Sequence, residues 1–376
     1  MRDNQDEHYM AIALELARAG LYSAAPNPRV GCVLVNHGVE IGRGYHRRAG
    51  APHAEIEALT KADGDPRGAT AYVSLEPCNH AGRTPPCTEA LIDAGIARVV
   101  YAATDPNPSV DGRGAERLRT AGIEVLGGIQ SDAAAALNRG FFSRMQDGRP
   151  FVRVKIAMSM DACVALENGE SQWITGEQAR ADVHRLRAES CAILTGIGTV
   201  LTDDPSLNVR DQRYELHGRH PRRVVLDDRL RMPVDARMLS LAGETWIFHG
   251  EGEADKASSL SHKGARIEAI ASHEGRIDIE RLLGRLGELE INELMVEAGP
   301  TLTSAFITEA QFDELVIYVA PKLLGRSGRR ALDVESPAEL VRARQFSIVS
   351  CEPLGGDVRW ILRPEPGRSG TKSNSD

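Results

Sequence analysis

His53, Glu55, Cys78 and Cys87 are residues of the types that a catalytic zinc ion uses, set out as His53-Ala54-Glu55, then Pro77-Cys78, then Cys87. Zinc prefers tetrahedral nitrogen and sulfur donors, and a catalytic site leaves one of the four positions to water. His53, Cys78 and Cys87 supply three donors. Metal held by them lowers the pKa of water toward ~7 and makes hydroxide available. Glu55 lies two residues from His53 and can face the same water, taking its proton and passing it to a departing amine. The plain alternative is a solvated helix face and two buried cysteines, since an H-x-E triplet is common. A structural zinc site usually has four protein ligands and is closed; three ligands beside a carboxylate point instead to hydrolysis.

These residues must be held by a regular framework, and the first half supplies one. Met10, Ala13, Leu14 and Ala17 fall at helical spacing and Gly20 follows as a stop. Val30–Val35 and Val39–Tyr45 read as strands around the turn Asn36-His37-Gly38. Helix His53–Ala62, strand Ala69–Leu75, helix Cys87–Gly95, strand Arg98–Ala103, helix Gly114–Ala121, strand Ile123–Leu126 and helix Asp132–Asn138 follow. This alternation predicts a three-layer α/β domain. Asp147-Gly148-Arg149-Pro150 is turn chemistry, which bounds a first domain at 1–147 and a second at 150–363. The second repeats the alternation from strand Phe151–Met158 onward, with Leu216–Arg222 and Gly250–Gly264 read as loops. From about Pro364 the chain is polar and Gly/Ser/Asn-rich, which predicts a disordered tail over 364–376.

Composition narrows the function classes. The 376 residues are 42% hydrophobic and 26% charged, as in ordinary soluble domains. No apolar run approaches the ~18 residues needed to span a bilayer. The start, Met1-Arg2-Asp3-Asn4-Gln5-Asp6-Glu7, lacks the apolar stretch of a secretory signal. A formal net charge of -8 and the lack of a basic stripe with interleaved aromatics count against nucleic acid as a partner. Six cysteines without such a signal suggest a reducing, cytoplasmic compartment. Packing is the default role for Cys32, Cys163, Cys191 and Cys351.

The second half has no G-x-G-x-x-G after its first strand, so that dinucleotide fingerprint is absent. Strand Glu293–Glu297 instead runs into Ala298-Gly299-Pro300-Thr301-Leu302-Thr303-Ser304-Ala305, which opens a helix. Such a start offers N–H groups to a phosphate, Pro300 suits the first helical turn, and Thr301, Thr303 and Ser304 add hydroxyls. A capped helix with no ligand would read the same. Thr195-Gly196-Ile197-Gly198-Thr199 is a second glycine turn at a strand end, with Asp203 beyond it.

H-x-E followed by P-C-x-x-C is the signature of zinc nucleobase deaminases. Here eight residues, Asn79–Pro86, separate the two cysteines. That insertion points further. Asn27-Pro28-x-Val30-Gly31, Gly44-x-His46, Pro52-His53-Ala54-Glu55, Glu76-Pro77-Cys78 and His80-x-Gly82-Arg83-Thr84-Pro85-Pro86-Cys87 together resemble the bifunctional riboflavin-biosynthesis deaminase/reductases. The resemblance continues to about residue 363 through Lys155-x-Ala157-x-Ser159-x-Asp161, Gly169–Thr175, Arg187, Thr195–Thr199 with Asp203, Leu207 with Arg210, and Val296–Ala305. It implies a cytidine-deaminase-like three-layer α/β/α domain followed by a dihydrofolate-reductase-like α/β domain.

The resemblance also implies the substrates. Zn2+ would serve removal of the 2-amino group of 2,5-diamino-6-ribosylamino-4(3H)-pyrimidinone 5′-phosphate. NADPH would then reduce 5-amino-6-(5-phosphoribosylamino)uracil to the ribitylamino product. It places cofactor contacts at Ala157, Trp173, Thr199, Asp203 and Gly299–Ala305 (Gly299, Pro300, Thr301, Leu302, Thr303, Ser304, Ala305), and substrate contacts at Ser171, Arg187, Leu207, Arg210 and Glu297. Arg187 and Arg210 are natural bidentate partners for a phosphate. Trp173 can stack on a flat ring or be a core residue. Glu297 can hold ribose hydroxyls or be a solvated strand end. His80 and Arg83 can meet the phosphate or ribose end, or be solvated loop residues, and Asn27 can meet a heterocycle edge or only shape a turn. Two departures stand out: Ala162-Cys163 replaces Gly-Arg after Asp161, and Asp228 stands where Ser or Thr is usual. Edge strands of the reductase-like sheet, with the resemblance, point to a homodimer.

Overall fold

The computed structural model describes residues 4–79, 86–108, 110–250, 254–273 and 275–365. Its contacts divide the chain into two units, Met1–Arg149 with Glu215–Arg219, and Pro150–Tyr214 with His220–Asp376.

The first unit runs α1 (Asn4–Arg18), β1 (Gly31–Asn36), β2 (Val39–Tyr45), α2 (Ala54–Thr60), β3 (Thr70–Leu75), α3 (Cys87–Asp93), β4 (Arg98–Ala103), α4 (Arg113–Thr120), β5 (Glu124–Gly127), α5 (Ser131–Leu137) and α6 (Arg139–Asp147). The sheet order is β2-β1-β3-β4-β5, antiparallel about β1 and parallel from β3 to β5. Strand side chains alternate between two cores, as the pleat requires. Val33, Val35 and Tyr72 face α1, α5 and α6 with Met10, Leu14, Ala134 and Phe141. Cys32, Leu34 and Val73 face α2, α3 and α4 with Ala54, Ala58, Leu91 and Leu118. This is the three-layer arrangement expected. Helix α6 is additional to the expected elements.

Close helix–sheet contact is set by glycines. A Cβ on Gly44 would fall 2.5 Å from the Ala54 carbonyl oxygen and 2.6 Å from the Ala58 nitrogen. The first turn of α2 therefore lies directly on the β2 backbone.

The second unit contains β6 (Phe151–Ser159), β7 (Cys163–Ala165), α7 (Glu177–Glu189), β8 (Ala192–Gly196), α8 (Ile197–Asp203), β9 (Arg222–Leu226), β10 (Thr245–His249), α9 (Ala254–His262), β11 (Ala265–Ala269), β12 (Ser272–His273) and β13 (Arg276–Ile277). After these come α10 (Ile279–Glu288), β14 (Glu293–Val296), α11 (Pro300–Thr308), β15 (Glu314–Ala320), β16 (Arg329–Arg330), β17 (Phe346–Leu354) and β18 (Asp357–Pro364). The large sheet has the order β11-β10-β9-β8-β14-β6-β15-β18-β17, parallel as far as β15 and then antiparallel. Ile193, Val225, Ile247 and Leu260 fill one core. Leu186, Met295, Val316 and Tyr318 fill another.

Several expectations change here. Most of Gly250–Gly264 is helical as α9, not a loop; its buried anchor is Leu260 alone, so the stripe is too thin to read. The second glycine turn is the start of α8, because Gly196 caps it in extended backbone. Cys351 is exposed on β17, while Cys32, Cys163 and Cys191 are buried. The expected tail falls outside the described residues, except that Pro364 ends β18 and Glu365 N–H reaches the Gln345 carbonyl at 3.4 Å. Among the described residues no helix is long and apolar enough to cross a membrane.

Gly44→Ala must push α2 away from β2. The expected loss is about 1–3 kcal/mol, seen as a lower midpoint in urea unfolding; an unchanged midpoint would show that α2 does not rest on this glycine.

Candidate active sites

In the first unit, three chain segments meet at the end of the sheet. His53 is the residue before α2, in extended backbone, so its ring stays at the helix mouth while Glu55 enters the first turn. Cys78 lies in the loop that leaves β3, and Cys87 is the first residue of α3. Of the two cysteines, only Cys87 stands where a loop enters a helix.

His53 Nδ1 lies 3.2 Å from Cys87 Sγ and 3.5 Å from Cys78 Sγ. All three donor atoms fall within 4.8 Å of one another. Two donors on one tetrahedral zinc, at about 2.0 and 2.3 Å, stand roughly 3.5 Å apart. The donor set thus fits zinc in both chemistry and spacing, and it is three protein ligands among the described residues. That favours an open site over a closed structural one.

The electrostatics of these residues without metal are consistent with this. The Cys78 thiol is pushed down to about 4 by the Cys87 thiol that donates to it, against burial, with His53 helping. The backbone N–H of Cys87 also points at Cys78 Sγ, at 3.4 Å. Cys87 moves up because it is the donor of that pair and is buried. Glu55 is 3% exposed, and burial with the negative Cys78 beside it pushes its carboxyl up to about 7. A carboxyl with that value near neutral pH can both accept and return a proton.

Neighbours hold the ligands in place. His46 is buried and packs edge-on against the His53 ring, centroids 5.3 Å apart. Its Nδ1 faces the Pro52 carbonyl at 3.0 Å, which makes Nδ1 the protonated nitrogen and Nε2 the acceptor from the Asn27 amide, also at 3.0 Å. The Asn27 amide is thereby fixed on His46, which packs against the His53 ring. Buried Glu76, just before Pro77-Cys78, accepts from the N–H groups of Gly112 and Ala115, both at 3.0 Å. Gly114 touches the same loop: a Cβ there would lie 2.0 Å from the Pro77 carbonyl oxygen. Asp105, also buried, is pushed up to about 7 by burial and by Glu76 and Cys78. His80 and Arg83 lie outside the described residues.

In the second unit, Arg187 on α7 grips Glu297 at the end of β14 in a two-point pair, Nε–Oε1 2.6 Å and Nη2–Oε2 2.9 Å. Arg187 Nη1 also donates to the Asn208 carbonyl at 3.1 Å. Lys155 Nζ on β6 stands 4.0 Å from Glu297 Oε2. Burial would raise the Glu297 carboxyl, but Arg187 and Lys155 more than offset it and the value is lowered. Burial lowers the Lys155 ammonium, with the Glu297 charge opposing. The Arg210 N–H points at His184 Nδ1, 3.4 Å away, and its side chain is exposed. Lys155 was legible only as part of a motif; a lysine inside the largely apolar strand Phe151–Ser159, which also carries Arg153, was the signal for it.

The glycine turns before α8 and α11 face each other. A Cβ on Gly299 would meet Thr199 Oγ1 at 3.7 Å, and one on Gly196 would meet Leu302 Cδ2 at 3.3 Å. Of the three hydroxyls expected to line this start, only Thr301 is exposed. Thr303 donates to the Ala298 carbonyl at 3.2 Å, and Ser304 accepts from the Asp333 N–H at 2.8 Å. Pro300 takes the first helical position. Leu302 and Ala305 are half-buried. Trp173 is 62% exposed, with the Arg180 guanidinium 4.7 Å from its ring centre, so it is not a core residue. Ser171 and Ala157 are half-buried, Ala157 on β6. Asp203 ends α8, and burial raises its carboxyl. Leu207 packs in the core with Ile193 and Val225, so any ligand it touches meets only its edge.

Two family descriptions match the chain: the cytidine and deoxycytidylate deaminase zinc-binding region over residues 3–103, and the RibD C-terminal domain over residues 150–359. The riboflavin biosynthesis protein RibD of Escherichia coli K12 is 46% identical over 363 residues, covering 94% of this chain and 98% of that protein. A structure of Acinetobacter baumannii RibD aligns with a TM-score of 0.89 at 43% identity, covering 96% of this chain and 99% of the other. A Thermotoga maritima structure described as a diaminohydroxyphosphoribosylaminopyrimidine deaminase/5-amino-6-(5-phosphoribosylamino)uracil reductase aligns with a TM-score of 0.83 at 32% identity, with coverage of 96% and 99%. With a cytidine-deaminase-like domain carrying the zinc donors and a dihydrofolate-reductase-like domain carrying the Arg187–Glu297 pair, the chain belongs to the RibD family of bifunctional riboflavin-biosynthesis deaminase/reductases.

Proposed function

We propose that the first unit deaminates 2,5-diamino-6-ribosylamino-4(3H)-pyrimidinone 5′-phosphate and the second reduces 5-amino-6-(5-phosphoribosylamino)uracil with NADPH. The observation that carries the reading is the convergence of His53, Cys78 and Cys87 beside the buried Glu55 carboxyl. Zinc held by those three donors supplies the Lewis acidity that makes water a nucleophile near neutral pH. Glu55 takes the proton of the attacking water and delivers it to the leaving amine. The Asn27 amide, which donates to His46, reads the pyrimidine edge in this assignment.

In the second unit a bound nicotinamide would supply hydride to C1′ of the opened, imine-like ribose, the imine nitrogen taking a proton from solvent. The reading assigns its binding to Ala157, Trp173, Thr199, Asp203 and the Gly299–Ala305 turn, with Ser171, Arg187, Leu207, Arg210 and Glu297 on the substrate side. Arg187 has three of its N–H groups engaged within the chain, so it holds Glu297 in place as well as adding positive charge for a phosphate. Arg210, exposed, is the better placed of the two for the phosphate itself. Small phosphorylated metabolites, not nucleic acid, suit the net charge of -8. A reducing cytoplasm suits a site whose ligands are thiolates.

The same reading takes the protein as a homodimer. Strand β17 is an edge of the large sheet and carries Ile348 and Val349, 61% and 47% exposed. An apolar edge strand of this kind is normally covered.

With the diamino substrate, ammonia appears first and reduced nicotinamide is consumed afterwards; ammonia without nucleotide oxidation would contradict the reductase half. Glu55→Gln keeps its zinc, measured by elemental analysis, but releases ammonia about 10²–10⁴-fold more slowly. Without metal, folded Glu55 holds its proton up to about 7, above its ordinary value of 4.5, so the folded state loses stability as pH rises through that window. Glu55→Gln should therefore melt several degrees higher than the parent at pH 8 in chelator, and an equal or lower melting point would contradict the burial argument. Replacing Ile348 and Val349 with lysine should convert a sedimenting dimer to a monomer; a wild-type monomer at micromolar concentration would remove the dimer from the reading.

A further inference from the structure

The dinucleotide crevice of the reductase reading opens at the carboxyl ends of β8, β9 and β14, where the glycine turns before α8 and α11 face each other. Leu226, the last residue of β9, is in register with Gly196 at the end of β8. Asp227 and Asp228 follow Leu226, and they do different things. Asp227 is fully buried and shapes the turn: its Oδ2 accepts from Met232 N–H at 2.7 Å and its carbonyl from Leu230 N–H at 3.0 Å.

Asp228 Oδ1 accepts no such hydrogen bond among the described residues. It lies over Gly250, the residue after β10, whose N–H donates to the Asp228 carbonyl at 3.2 Å. A Cβ on Gly250 would fall 2.3 Å from Asp228 Oδ1 and 2.2 Å from Ser272 Oγ, so a carboxylate and a hydroxyl converge at this strand end. Among the described residues Asp228 Oδ1 is closed off from solvent without a hydrogen-bond partner, as is His249 Nδ1 at the end of β10, so a ligand meets this half-buried carboxylate through Oδ2.

A carboxylate at a strand end in a dinucleotide crevice accepts from a ribose 2′-hydroxyl; it cannot donate to a 2′-phosphate and repels its charge. We propose that Asp228 takes the adenosine ribose of the cofactor by its 2′-hydroxyl, so that NADH is at least as good a ligand for this chain as NADPH. This rests on the reductase reading and refines its cofactor. Arg229 is the cation placed to oppose it: a Cβ on Gly275 would lie 3.9 Å from Arg229 Nη2 and 3.8 Å from Asp228 Oδ2.

The test is equilibrium binding of NADH and of NADPH to the full-length, zinc-loaded protein, followed by nucleotide fluorescence. Wild type, Asp228→Ser and Arg229→Ala are compared, each checked for fold by circular dichroism. Wild type should bind NADH as tightly as NADPH or more tightly. Asp228→Ser should move the ratio of affinities about tenfold toward NADPH, the worth of one hydrogen bond to a charged group. Arg229→Ala should leave the ratio within about twofold. A wild-type preference for NADPH of about tenfold or more, a ratio unmoved in folded Asp228→Ser, or a ratio that moves with Arg229→Ala would overturn the assignment while leaving the reductase standing. Binding of neither nucleotide would overturn the reductase reading and this inference with it.

Discussion

Two sulfurs and an imidazole nitrogen crowd to within 4.8 Å at the end of a mixed sheet, and a cation is what lets them stay there as ligands. Much of the first unit can be understood from that constraint. The helices that begin at His53 and Cys87 must start at the same end of the sheet, and they can do so because β2 carries Gly42 and Gly44 under α2. The loop between β3 and α3 must hold Cys78 against the start of α3, and Glu76 ties that loop to the turn before α4. Burial then does a second job. By excluding water it lifts the Glu55 carboxyl into the neutral range, where a proton acceptor can also be a donor.

The second unit solves a different problem with buried charge. Glu297 sits between Arg187 and Lys155, and Arg153 is enclosed near Glu189 and Glu314. A buried ion held this way is costly to disturb, because removing one partner strands the other. The Arg187–Glu297 pair therefore fixes the carboxylate at the end of β14, next to the turn that opens α11. Position matters more than net stabilisation here, since a well-packed apolar pair could be as stable.

Much of the framework was legible in the sequence because strands and helices bury their faces with different periods. Cys32 and Leu34 go to one core and Val33 and Val35 to the other, as alternation predicts. The zinc donors were legible because metal chemistry allows few residue types. What stayed hidden depended on contacts that sequence spacing does not encode. The polar stretch that holds α9 has Leu260 as its buried anchor and looked like a loop. Thr303 and Ser304 looked like ligand hydroxyls, yet each is taken by the protein's own backbone. His46 and Lys155 gain their meaning only from what lies across the fold: the His53 ring for one, Glu297 for the other. Cys351 reads as a packed strand residue because nothing local tells an edge strand from an inner one.

The central claim concerns how the metal is held, and X-ray absorption at the zinc edge measures it directly. The account predicts one zinc per chain with two sulfur neighbours at about 2.3 Å and two nitrogen or oxygen neighbours at about 2.0 Å, falling to one sulfur in Cys87→Ser. A shell with no sulfur, or one that keeps two sulfurs in Cys87→Ser, would contradict it.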